Sequence, residues 1–134
     1  MYTNIDTDDC LKRLSNFLKQ KETQARFNYP CKALIQALTM VIKNNSMTFG
    51  DTFIQQLAGI AMEMSPAPPI ANLYVALHES TFISDRLKSS LFFYKRFIDD
   101  GIGTWIHNEI EAVDRHNWDT FNLIVNNGGL TWEF

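Results

Sequence analysis

Asp99 and Asp100 are adjacent carboxylates within the run Phe93-Tyr94-Lys95-Arg96-Phe97-Ile98-Asp99-Asp100-Gly101-Ile102-Gly103, between two apolar stretches that read as strands. Local rules make Asp100-Gly101 a tight hairpin turn, because Gly accepts the φ > 0 conformation that two-residue loops require. A turn accounts for one Asp and not for two. The second adds a like-charge repulsion that a divalent ion held by carboxylate oxygens would relieve. The chemistry suggested is metal-dependent nucleotidyl transfer. The plain alternative is a solvated Asp-Asp turn.

The elements that must position this pair follow from periodicity. Leu11, Leu14, Phe17 and Leu18 repeat at helical spacing after Thr7, a good N-cap, and Asp8 and Asp9 complement the helix dipole, so a helix is predicted over 8–22. Pro30 opens a second helix through Leu34, Ile35, Leu38, Met40, Val41 and Ile42. Met47-Thr48-Phe49 and residues 52–57, separated by Gly50-Asp51, read as a β-hairpin. Pro68-Pro69 begin a third helix. Strands near 91–98 and 101–106 flank the carboxylates, and a fourth helix carries Trp118, Phe121, Leu123, Ile124 and Val125. Asn126-Asn127-Gly128-Gly129 then turns into a last strand over 130–134. Helices around antiparallel hairpins give an α+β fold class, and the absence of repeats, low-complexity tracts or linkers gives one domain.

The 134 residues, 46% of them hydrophobic and 13% aromatic, suffice for a single domain with a core and exclude a disordered tail. No apolar run reaches the roughly 20 residues of a membrane span, and no signal-peptide layout opens the chain, so the expectation is a soluble, intracellular protein without a membrane partner, nuclear or cytoplasmic. Cys10 and Cys31 lack metal-ligand spacing and read as reduced thiols. The net charge of −3 argues against a broad nucleic-acid surface. The basic residues do cluster, with Lys12, Arg13, Lys19, Lys21, Arg26 and Lys32 early and Arg86, Lys88, Lys95 and Arg96 before the carboxylates. Either cluster would follow a phosphate backbone or form an ordinary solvated face. Strand alternation puts Lys95 and Arg96 on opposite faces, so they cannot share one task.

Gln56-Leu57-Ala58-Gly59-Ile60-Ala61-Met62, then Ser65-Pro66-Ala67-Pro68-Pro69-Ile70-Ala71-Asn72-Leu73-Tyr74 and Glu79, resembles the second conserved block of reverse transcriptases. Phe97-Ile98-Asp99-Asp100 falls where that family carries its aromatic-x-Asp-Asp motif. Met1-Tyr2-Thr3-Asn4-Ile5 is similar to the tail of the first block, in the style of Penelope-like elements and group II introns. The blocks occur in the family's order and together cover most of the chain.

The resemblance implies the fingers and palm of a right-hand polymerase, an RNA-directed DNA polymerase that joins a dNTP to a primer 3′-hydroxyl on an RNA template. It implies Mg²⁺, with Mn²⁺ as a substitute, and Asp99 and Asp100 as catalytic metal ligands. Tyr2 would screen the sugar 2′ position, Gln56 and Gly59 would lie near the nucleotide and template base, and Ser65, Lys95 and Arg96 would contact nucleic acid. Plain readings stand beside these: Tyr2 a chain-end residue, Gly59 a strand end, Ser65 part of a Pro-rich helix start. Phe97 and Tyr94 read as sheet packing, Trp105, Trp118 and Trp132 as core aromatics, and His78, His107 and His116 as structural.

Two departures qualify the resemblance. The family's first block opens with a metal-binding Asp five residues before the aromatic that matches Tyr2, which places it upstream of Met1. The expectation is therefore a partial domain, cut at both ends from a larger polymerase or polyprotein and inactive by itself. Glu63 stands where the family has Gly in Ala-Met-Gly, as in a decayed copy or an unusual pocket. The alternative function is accordingly a catalytically dead remnant that acts at most as a nucleic-acid-binding module.

Overall fold

The computed structural model describes residues 4–62, 64–83, 87, 89–126 and 130–133; the side chains of residues 22, 24, 81 and 82 are not described. Tyr2, Glu63, Arg86, Lys88, residues 127–129 of the predicted turn and Phe134 lie outside the described residues. The fold is mixed α and β, with five helices and two antiparallel two-stranded sheets among the described residues. It divides into two compact units, residues 1–74 and 75–134.

In the first unit, α1 (Thr7–Lys19), α2 (Lys21–Phe27) and α3 (Cys31–Lys43) precede a hairpin of β1 (Ser46–Phe49) and β2 (Thr52–Gln55). The N-cap of α1 is Asp6, whose carboxylate accepts from the Asp9 backbone N–H at 2.8 Å. Thr7 is the first helical residue rather than the cap. A carboxylate satisfies the free N–H and the helix dipole together, an advantage a threonine hydroxyl lacks. The helix predicted over 8–22 is broken at Gln20, which takes an extended conformation.

Cys10, Leu14 and Leu18 are buried from α1, four residues apart and so on one face, with Ile5, Ile42 of α3 and Ile60. α4 (Ala67–Phe82) adds Ala67, Ile70, Ala71 and Tyr74. Asp9 accepts from Arg13 Nε at 2.6 Å and from the Tyr74 hydroxyl at 2.9 Å, tying α1 to α4. Lys43 pairs with Asp8 at 2.7 Å across α1 and α3.

The second unit holds the end of α4, the hairpin of β3 (Leu91–Phe97) and β4 (Asp100–Trp105), and α5 (Glu111–Val125). Leu87, Phe121 and Val125 are its core, with Leu91, Tyr94, Trp105, Trp118, Ile124 and Trp132 packed around them. Trp105 and Trp118 meet edge to face at 5.0 Å. Buried His78 of α4 shares a 2.9 Å hydrogen bond with the Val125 carbonyl at the end of α5. Residues 130–133 form no strand. Trp132 instead donates its backbone N–H to the Asn126 side chain at 2.5 Å, so the segment is held by a side chain and by its indole in the core, without a sheet partner.

Candidate functional site

The carboxylate hairpin turns two residues earlier than local propensity suggests. Phe97 pairs with Asp100, Arg96 with Gly101 and Lys95 with Ile102, which leaves Ile98 and Asp99 as the two turn residues. Gly101 is therefore a strand residue, not the turn glycine. The positive φ falls on Ile98, at 58°. The other hairpin makes the same kind of turn with Gly50-Asp51 between paired Phe49 and Thr52, and there Gly50 takes φ 59°. A left-handed backbone costs an L-residue about 1–2 kcal/mol, and a β-branched residue in it is an outlier. Such strain persists only where surrounding contacts fix it.

Those contacts lie on the covered face of the hairpin. Arg96 Nε donates to Glu79 Oε1 at 2.6 Å, and Arg96 Nη1 donates to the Ile98 carbonyl, also at 2.6 Å. The Tyr94 hydroxyl donates to the same Glu79 oxygen at 2.8 Å. The Arg96 and Glu79 side chains are only 10% and 12% exposed. Burial, together with the Glu79 carboxylate that accepts its hydrogen bond, pushes the Tyr94 phenol well above its ordinary value. Opposite Tyr94 and Arg96 stand Gly103 and Gly101. A Cβ on Gly103 would come within 3.1 Å of the Phe93 carbonyl, and one on Gly101 would touch the Tyr94 ring at 3.4 Å, so small residues let the strand lie flat beneath these two side chains.

The other face is open. Lys95 and Asp100 are exposed there beside Phe93 and Ile102, and Phe97 is 76% exposed rather than packed in a core. Asp99, in the turn itself, is also exposed. The two adjacent carboxylates thus reach solvent from a braced hairpin end. Their oxygens are hard donors of the kind Mg²⁺ takes, usually one or two per ion with water and phosphate oxygens completing the shell. Among the described residues no group of three or more His, Cys, Asp or Glu stands ready to hold a metal. The pair fits as part of a ligand set.

Lys95 and Arg96 have separate tasks in the structure, the lysine toward solvent and the arginine in an internal ion pair. Glu79, seen in the sequence only as the last member of a block, supplies that pair from α4.

In the first unit, Gln56 lines an apolar cavity of about 540 Å³ with Asn45, Met47, Ile60, Met62 and Met64. Its backbone N–H donates to the Asn45 carbonyl at 2.9 Å and its side-chain amide to the Ala58 carbonyl at 2.7 Å. Gly59 is buried with φ 76°, a backbone requirement beyond the strand, which ends at Gln55. Ser65 is exposed in the turn before α4.

One polar cluster went unseen in the sequence. Asp114 accepts from Trp105 Nε1 at 3.1 Å and from the Asn108 backbone N–H at 3.0 Å, and its other oxygen meets His107 Nδ1 at 2.8 Å. These hydrogen bonds, led by the Asn108 backbone and the imidazole, hold its carboxyl below the ordinary value. The cluster ties the end of β4 to the first turns of α5.

No protein family, curated protein or solved structure matches the chain. No helix among the described residues is long and apolar enough to cross a membrane.

Proposed function

We propose that the chain is a reverse transcriptase palm segment whose Asp99-Asp100 hairpin binds a divalent cation for nucleotidyl transfer. The observation that supports this reading most is the hairpin itself: two adjacent exposed carboxylates next to a left-handed isoleucine that an internal arginine holds in place. A turn with only a connecting role has no need of that arrangement, as Gly50 demonstrates. Strain of this kind, inferred forward from an observed outlier, is a mark of functional sites.

In this reading Mg²⁺, when bound, supplies the charge that offsets the triphosphate and lowers the pKa of the attacking hydroxyl. Asp99 and Asp100 hold carboxylate oxygens toward it. Lys95 carries a positive charge on the open face, where a primer phosphate would be met. Gln56, Gly59, Ser65 and Tyr2 keep the roles that the resemblance implies, near the dNTP, the template and the primer. The test is primer extension on an RNA template by a chain lengthened upstream to supply the first-block Asp, with Asp99→Ala as control. Synthesis lost in the substituted chain supports the reading.

The second reading is a remnant that has kept the fold without the chemistry. The pairing of Arg96 with Glu79, which keeps that cation from a phosphate, favours it. A folded, lengthened chain that binds RNA–DNA hybrid but never extends a primer identifies it.

A further inference from the structure

Arg96 donates one hydrogen bond inward to Glu79 and another along the strand to the Ile98 carbonyl. That carbonyl belongs to the peptide unit leading into Asp99. Its position therefore helps decide where the first carboxylate points. Ile98 would not hold φ 58° by its own preference, since its Cβ crowds the following carbonyl in the left-handed region. Arginine suits the task because its rigid planar fork has donors aimed at separate acceptors. The inner anchor, Glu79, is itself nearly buried and is shared with the Tyr94 hydroxyl.

We infer that Glu79 is a positioning residue for the carboxylate hairpin, acting through Arg96 to hold the Ile98–Asp99 peptide in the orientation that cation binding needs. The inference rests on the reading of Asp99-Asp100 as a cation site. It also gives Arg96 a task that a nucleic-acid contact would disrupt: an arginine drawn out to a phosphate would release the turn. The brace belongs to the protein and is in place before any substrate arrives, as outer partners of metal-binding carboxylates commonly are.

The test uses isotope-labelled full chain in solution, with R96K and E79Q as variants. Lysine keeps a charge opposite Glu79 but lacks the second planar donor that reaches Ile98. Glutamine keeps an oxygen that still accepts from Arg96 and Tyr94, so E79Q guards against a variant that fails to fold. Two quantities are read: the Ile98 backbone coupling and Cα shift, which report its φ, and the Mg²⁺ affinity seen at the Asp99 amide.

The expected result for R96K is an Ile98 signature that leaves left-handed values and a Mg²⁺ affinity about tenfold or more weaker, with E79Q moving both in the same direction. Adding Ile98→Gly to R96K restores affinity, because glycine holds φ > 0 unaided. Rescue of this kind would not follow from a merely structural role for Arg96. An Ile98 signature unchanged in both variants overturns the inference, whatever the metal does. Failure of the wild-type chain to bind Mg²⁺ at Asp99 overturns the cation reading instead, and the Ile98 signature then decides on the brace alone.

Discussion

Gly50 and Ile98 occupy the same position in two separate hairpin turns, with φ of 59° and 58°. Each is followed by an aspartate, Asp51 in one and Asp99 in the other. Around Gly50 a Cβ would meet nothing within 4 Å, so backbone preference alone calls for glycine there. Ile98 is placed against that preference, and Arg96 fixes its carbonyl.

The cost of that placement is measurable by urea unfolding of Ile98→Ala and Ile98→Gly. Both remove the same side-chain packing, and only alanine keeps the left-handed penalty. The glycine variant is expected to be more stable than the alanine variant by about 1 kcal/mol. Equal stabilities would mean that Ile98 is not held at positive φ in solution.

Removing one member of the Glu79–Arg96 pair leaves the other charge nearly buried. Glu79→Ala also strips the Tyr94 hydroxyl of its acceptor. Destabilisation of about 3 kcal/mol is expected, far above that of an exposed pair such as Arg115–Glu111, which is worth about 0.3–0.5 kcal/mol. Chemical denaturation of E79A beside E111A measures the contrast.

The carboxyl of Asp114 is held below its ordinary value of 3.8 by the Asn108 backbone, the His107 imidazole and the Trp105 indole. Its folded pKa is lower than its unfolded one, so the folded state favours the charged form. The stabilisation is complete above the unfolded value and is lost as pH falls through the folded one. Unfolding curves of wild type and Asp114→Asn should therefore differ at neutral pH and converge as pH drops below about 4. A constant gap across that range would show that the carboxylate's charge has no part in it.

The two cysteines should differ in reactivity. Cys10 is fully buried, and burial, aided by Asp9 and Asp6, pushes its thiol up to about 12. Cys31 is partly accessible and points its thiol at the Leu18 carbonyl at 3.3 Å. A thiol reagent at pH 8 should modify Cys31 quickly and Cys10 only as fast as the chain unfolds. Equal rates in the native protein would contradict the packing of α1.

Much of the element order was legible from spacing. Leu14 and Leu18 sit on the buried face of α1, Gly50-Asp51 does form a two-residue turn, and Trp105, Trp118 and Trp132 do pack around one core. The turn at the carboxylates was not legible, because the local rule gives positive φ to the nearest glycine and Gly101 was at hand. The turn at Ile98-Asp99 goes with a pairing of Arg96 to Glu79, 17 residues earlier and on another element, and no local pattern reports that pairing. From its type Phe97 reads as a packed residue, whereas it lies on the open face of the β3–β4 hairpin and is largely exposed. The Asp114 cluster escaped for a related reason: a tryptophan, a histidine, an asparagine and an aspartate within ten residues form no chemical motif until a strand end and a helix start bring them together.

The most direct measurement is a Mn²⁺ titration of the wild-type chain and of Asp99→Ala, followed by paramagnetic broadening of assigned amide signals. Broadening in the wild type is expected to centre on Ile98, Asp99 and Asp100 at low Mn²⁺ concentration, to be displaced by Mg²⁺, and to be lost in Asp99→Ala. Broadening that is unchanged by the substitution, or that never centres on the hairpin, would contradict the cation reading.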